Sequence, residues 1–133
     1  MSASTDFVGF LYAAFGRGDV QTILDNLDPS IEWVSNGDPN TIPWAGKRTG
    51  AEGALSFFQL LGGTLDFEAF EPGQFLDSGD TVTVLGRTRA RNKTGGRGVF
   101  DCEWAHIFSI RNGKLARFQE FYDTAAIERA LAA

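Results

Sequence analysis

Apolar residues open the chain at helical spacing. Phe7, Phe10, Leu11, Ala14 and Phe15 share one face, which predicts a first helix with Ser4 or Thr5 as its N-cap and Gly16 or Gly18 as its stop. Asp19 is placed to cap a second short helix carrying Val20, Ile23, Leu24 and Leu27, which Pro29 ends. Ile31 to Val34 reads as a short strand, and 35–43, rich in Asn, Asp, Gly and Pro, reads as a loop. Thr49 can cap a third helix with Ala54, Phe57, Phe58 and Leu61 inward and Gly62-Gly63 at its end. Beyond this point the period changes to two. The segments 64–70, 81–91, 99–110 and 115–122 read as strands, and 125–131 as a closing helix. Helices followed by a run of antiparallel strands define an α+β class, with the helices on one face of the sheet.

Asn112-Gly113 is the strongest local signal. Between two alternating strands this pair favours a two-residue type I′ turn, because both positions need positive φ. Counting outward pairs Ile110 with Leu115, Phe108 with Arg117, His106 with Gln119, Trp104 with Phe121 and Cys102 with Asp123. One face of the hairpin then joins aromatic side chains to His106, Gln119, Arg117 and Asp123. Apolar walls with a few convergent polar groups describe a small-molecule pocket. The opposite face, with Asp101, Glu103, Ala105, Ile107, Phe118, Glu120 and Tyr122, is assigned to solvent or to a subunit contact.

Composition adds bounds. The 133 residues suit one domain spanning 1–133, and 43% hydrophobic with 22% charged content is ordinary for a globular chain. Twelve Phe and three Trp supply enough aromatic surface for a bulky core, an apolar pocket, or both. A net charge of −5 disfavours nucleic-acid backbones and anionic membranes, and no apolar run reaches spanning length. The basic cluster from Arg87 to Lys93 alternates along a predicted strand and reads as a solvated or cross-strand-paired face. A lone Cys102 excludes an intrachain disulfide, and the N-terminus has no signal-peptide pattern, so a cytoplasmic setting is expected. One His and one Cys cannot build a zinc site, and the carboxylates lack calcium-loop spacing, so no metal and no cofactor is expected.

Several segments carry a resemblance. Tyr12-Ala13-Ala14-Phe15-Gly16-Arg17-Gly18-Asp19 and Ile31-Glu32-Trp33 are similar to the opening of nuclear transport factor 2-like proteins. Pro43 to Gly50 followed by Phe57-Phe58 resembles the approach to the third helix in their SnoaL-like polyketide cyclase branch. The segments His106-Ile107-Phe108, Asn112-Gly113-Lys114-Leu115 and Glu120-Phe121-Tyr122-Asp123 resemble that branch's final hairpin. The resemblance implies a cone-shaped α+β barrel of cystatin-like type, its curved antiparallel sheet wrapped around N-terminal helices, and a homodimer formed through the sheet. The superfamily hosts isomerases, cyclases and dehydratases as well as pocketed proteins without chemistry, so fold alone does not assign function.

Asp123 sits where the cyclase branch carries an acid/base Asp, although as the residue before a helix it also fits an N-cap. The ketosteroid isomerase branch places a Tyr on the first helix and an acid on a late strand. Leu11 and His106 stand at those positions here, with Tyr12 one residue away. Asp38 reads as turn chemistry, and Arg17-Gly18-Asp19 as turn plus cap rather than the Arg-x-Asp pair of epoxide hydrolases. The expectation is a cofactor-independent acid/base enzyme, of cyclase, isomerase or dehydratase type, acting on a small apolar or cyclic carbonyl compound. His106 and Asp123 are its expected catalytic pair, and Tyr12, Trp33, Trp44, Trp104, Gln119 and Phe121 its expected ligand contacts. The alternative is a non-catalytic ligand-binding or dimerisation module in which His106 and Asp123 are structural.

Overall fold

The computed structural model describes residues 2–132. In chain order the elements are α1 (Ala3–Gly16), α2 (Val20–Asp25), β1 (Leu27–Ser35), β2 (Gly46–Thr49), α3 (Gly50–Thr64), β3 (Leu65–Asp77), β4 (Thr81–Asn92), β5 (Val99–Arg111), β6 (Lys114–Tyr122) and α4 (Thr124–Ala132). The strands form one curved six-stranded sheet in the order β2-β1-β6-β5-β4-β3. All neighbours are antiparallel except β1 and β6, which run parallel and correct the all-antiparallel expectation.

α1 begins earlier than its apolar pattern suggests. Ser2 is the N-cap, and its side chain and that of Thr5 satisfy each other's backbone N–H in a capping box. The buried stripe is Thr5, Val8, Leu11 and Ala14, flanked by half-buried Phe7, Tyr12 and Phe15. That stripe centres between Leu11 and Tyr12. Phe10 lies nearly opposite at 100° per residue and is 44% exposed, contrary to its expected inward placement. Asp19 caps α2 as expected, accepting from the Thr22 N–H at 3.1 Å. α2 stops at Asp25, so Leu27 and Pro29 belong to β1.

The predicted loop after β1 leads into β2, whose four residues are too few for periodicity to reveal. In that loop Ile42 and Trp44 are fully buried, and the Arg48 guanidinium donates to the Trp44 and Ala45 carbonyls. The outer face of β3, β4 and β5 carries an ion-pair ladder. Arg87 pairs with Glu71 and Asp101, while Arg89 and Arg91 both pair with Glu68. The basic cluster is therefore paired across strands.

The turn between β5 and β6 has the expected two-residue form, with φ of 52° at Asn112 and 74° at Gly113. Arg111 faces Lys114 and Ile110 faces Leu115. The next pair is Ser109 with Arg117, so Ala116 is an extra residue on β6: a β-bulge. From there the register is Phe108 with Phe118, Ile107 with Gln119, His106 with Glu120, Ala105 with Phe121 and Trp104 with Tyr122. One inserted residue exchanges the two faces of β6. Phe118, Glu120 and Tyr122 turn inward, and Arg117, Gln119 and Phe121 turn outward.

Candidate active site

The concave face of the sheet, the three N-terminal helices and Ile127 of α4 line an apolar cavity of about 100 Å³. Aromatic rings form most of its wall. On β5, residues 104, 106 and 108 alternate inward, and their neighbours on β4 are small or β-branched. Gly86 on β4 lies opposite Trp104, and the indole occupies the space that a side chain would need. Trp104 is fixed from its edge as well, since its Nε1–H donates to the Thr88 hydroxyl at 2.6 Å.

His106 packs face to face on Trp104, with ring centroids 3.8 Å apart and an interplanar angle of 12°. It is 6% exposed. From α1 the Tyr12 hydroxyl meets its Nδ1 at 2.8 Å. On the other side Nε2 lies 3.4 Å from Glu120 Oε2, within ion-pair reach and long for a hydrogen bond. Burial pushes the His106 pKa below the ordinary imidazole value, a shift that Glu120 opposes but does not cancel. With the ring neutral and its hydrogen on Nε2, toward Glu120, Nδ1 accepts from the Tyr12 hydroxyl. Burial raises the Tyr12 phenol far above its usual value, with the Glu120 carboxyl adding to the rise.

Glu120 is 8% exposed and its second oxygen is also engaged. Ser35 Oγ, at the end of β1, is 2.7 Å from Glu120 Oε1 and 2.7 Å from the Tyr122 hydroxyl. Tyr122 in turn donates to the Asn36 backbone carbonyl at 2.5 Å. Burial first, and Glu120 second, raise the Tyr122 pKa. The parallel pairing of β1 with β6 brings Ser35 level with Glu120. The result is a polar line, Tyr12–His106–Glu120–Ser35–Tyr122, set in an otherwise apolar wall.

The structure brings together His106, Tyr12, Trp33, Trp44 and Trp104, all of which line the cavity. It does not bring Gln119, Phe121 or Asp123 there, because the bulge at Ala116 turns their alternation outward. Phe121 is 43% exposed, and Gln119 accepts from Arg117 on the outer face at 2.8 Å. Asp123 is exposed and accepts from the Ala126 N–H at 3.0 Å, which makes it the N-cap of α4. Sequence reasoning missed Glu120, Tyr122 and Ser35. One signal was present: Leu115 and Phe118 are three apart and both want the core, which strict alternation cannot deliver. Asp38 forms the expected turn, accepting from the backbone N–H of Asn40 and Ile42. Cys102 is half-buried, with its thiol pushed up by burial. Among the described residues no group of three or more His, Cys, Asp or Glu side chains could hold a metal ion, and no helix is long and apolar enough to cross a membrane.

A curved sheet closed by N-terminal helices around an apolar cavity with one buried polar line defines a pocketed α+β cone. The chain belongs to the SnoaL-like domain family, whose profile matches residues 8–118, within the nuclear transport factor 2-like superfamily. It is similar over 100% of both chains to a nuclear transport factor 2-like protein of unknown function from Burkholderia pseudomallei, at 25% identity and a TM-score of 0.89. A second such protein, from Burkholderia thailandensis, is 29% identical over 98% of each chain, with a TM-score of 0.87. TerC, in a structure obtained with polyporic acid, is 24% identical over 99% of this chain and 100% of its own, with a TM-score of 0.86. Among functionally curated proteins none matches the sequence.

Proposed function

We propose that the cavity is a cofactor-independent acid/base site acting on a small apolar or cyclic carbonyl compound, by cyclisation, isomerisation or dehydration. The observation that carries this reading is the Tyr12–His106 hydrogen bond, 2.8 Å long, inside an aromatic cavity that has little other polar surface. A neutral imidazole accepting from a phenol can pass a proton through that phenol to and from a ligand oxygen or an adjacent carbon. The role expected of Asp123 passes to Glu120, which backs the imidazole from its far side. Trp104, Phe70 and Tyr12 lie near-parallel to or tilted on one another beside His106 and suit a flat ligand. The co-crystallisation of TerC, a chain of the same fold, with polyporic acid supports a small organic ligand as the kind of partner sought.

The test is a thermal-shift screen of the purified protein against aromatic polyketide-like compounds, steroids, terpenoids and keto acids, followed by turnover assays on each hit. A ligand at a hundredfold excess over its Kd stabilises the native state by about 2.7 kcal/mol. His106→Ala and Tyr12→Phe are expected to abolish turnover while the fold persists. Full turnover in both variants would overturn the reading.

A second copy of the chain is the partner we infer, seated on the outer sheet face. Leu85, Ala105 and Phe121 are register neighbours across β4, β5 and β6 and form an apolar row, with Leu85 41% exposed. Mixed charges border it, Arg87 and Arg117 against Asp101 and Glu103, a pattern that can pair with its own two-fold copy. A reducing, cytoplasmic setting fits the single cysteine.

A further inference from the structure

The inward side chains of β1, β6 and β5 stack in layers set by their register. Ser35, Glu120 and His106 make one layer, and Trp33, Phe118 and Phe108 make the next. Successive inward residues on a strand stand about 7 Å apart, so Trp33 lies one layer from the polar line. Its indole stacks on Phe118 with ring centroids 4.3 Å apart, and the Phe57 and Phe58 rings of α3 lie against it at 5.3 and 5.2 Å. It is 4% exposed and lines the cavity.

Four donors of the cavity wall are committed to the protein. Tyr12 donates to His106 Nδ1, Ser35 to Glu120, Tyr122 to the Asn36 carbonyl and Trp104 Nε1–H to Thr88. Trp33 differs from them. Its Nε1 is the one buried side-chain nitrogen or oxygen among the described residues without a hydrogen-bond partner. Buried N–H groups are nearly always paired, because an unpaired one has lost its hydration and gained nothing in its place. The three rings packed on Trp33 carry no lone pair, and a ring face is a weak acceptor. Phe at this position would fill the same aromatic stack without that cost. An unpartnered N–H on the wall of a ligand cavity is a donor held ready for an acceptor on the ligand.

We propose that Trp33 Nε1–H takes the carbonyl oxygen of the cavity's ligand, so that the ligand sits with its carbonyl at the α3 side and the neighbouring carbons toward Tyr12 and His106. A carbonyl suits this place better than other acceptors. A hydroxyl would bring a hydrogen with no partner among the rings. A carboxylate would bring a charge, and the cavity lining contains no Lys or Arg to meet it. Acid/base chemistry beside a carbonyl also moves negative charge onto that oxygen, where a fixed donor in apolar surroundings is most effective. Trp33 is thus the electrophilic partner that the Tyr12–His106 pair lacks.

This assignment rests on the acid/base reading of the cavity, but it is read by binding, so the two fail separately. The indole N–H resonances of the three Trp residues are assigned through Trp33→Phe, Trp44→Phe and Trp104→Phe. Adding 1-indanone is expected to move Trp33 Nε1–H downfield. Its hydrocarbon counterpart indane should not, and Trp104 Nε1–H, already bonded to Thr88, should stay in place. Equal shifts with both compounds would overturn the proposal. So would a Trp33 resonance unmoved at the solubility limits of 1-indanone and of the smaller cyclohexanone.

Trp33→Phe keeps an aromatic ring on Phe118 and removes the donor. The preference for 1-indanone relative to indane is expected to fall about tenfold in that variant, the worth of one good hydrogen bond. An unchanged preference would refute the donor. Ketone binding through Trp33 without turnover of any ketone would leave this assignment standing and end the acid/base reading; turnover with the preference unchanged in Trp33→Phe would do the reverse.

Discussion

Trp104 and His106 are two apart on β5, yet their rings stand 3.8 Å apart, face to face. Same-face neighbours on a strand start nearly 7 Å apart at their Cα atoms, about twice the rise per residue, so the side chains must lean together. What lets the indole lean is the absence of a side chain at Gly86. A Cβ there would meet the Trp104 ring and lie 2.7 Å from the Glu71 carbonyl oxygen. Gly86→Ala is therefore expected to destabilise the protein by about 2 kcal/mol, the usual cost of overpacking, and to change the near-UV circular dichroism of Trp104. An unchanged melting temperature and spectrum would show that the ring has room to spare.

Acid is expected to weaken the fold in a window that belongs to His106. Its native pKa lies below the ordinary 6.5, so the unfolded chain takes up the proton first. This contribution is complete above pH 6.5 and is lost as pH falls through the native value. Exposed carboxylates held low by their partners, such as Glu68 and Asp101, act in a more acidic range, below their ordinary 4.5 and 3.8. Melting temperatures of wild type and His106→Gln between pH 7 and about 5 provide the check. The wild type should lose stability there and the variant should not, since no second histidine exists.

Asp123→Ala separates a cap from a catalyst. The α4 N-cap bond to Ala126 is expected to be worth about 1 kcal/mol. Ligand affinity and turnover should be unchanged once the protein is kept below its new melting temperature. A hundredfold loss of turnover in a folded variant would return Asp123 to the site.

Phe121→Glu addresses the sheet face. A carboxylate at the end of the row Leu85–Ala105–Phe121 is expected to convert a dimer into monomers in sedimentation velocity, with the cavity's ligand binding retained. A wild-type protein that already sediments as a monomer at micromolar concentration would dispose of the interface.

The fold was largely legible in the chain, because long strands alternate and caps advertise themselves. β4 to β6, the first half of β3 and the turn at Asn112-Gly113 follow from period two and from positive φ, while β3 runs on to Asp77, past the expected end at Phe70 and through Pro72 and Gly73. β2 did not, since four residues with half-buried alternation carry little signal. Half of the site was legible for the same reason. Residues on β5, before the turn, keep their phase, so His106 and Trp104 fell where counting put them. Residues on β6, after the turn, did not. The count was right to Leu115 and wrong from Arg117 onward, because alternation has no mark for an unpaired residue. Tyr12 was obscured differently. Phe10 looked like core by composition, which rotated the expected face of α1 and left Tyr12 at its margin.

The bulge at Ala116 behaves like a reading frame. Everything on β6 that the cavity sees is decided by whether the strand is counted from the turn with or without one extra residue. Deleting Ala116 would leave the turn intact and present Arg117, Gln119 and Phe121 to the cavity, while Phe118, Glu120 and Tyr122 went outside. The pocket would exchange a carboxyl and a phenol for a guanidinium, an amide and a phenyl ring without one side chain being mutated. In this architecture a single-residue insertion or deletion is a larger chemical step than most substitutions, and it is one that a position-by-position comparison of side chains would not register.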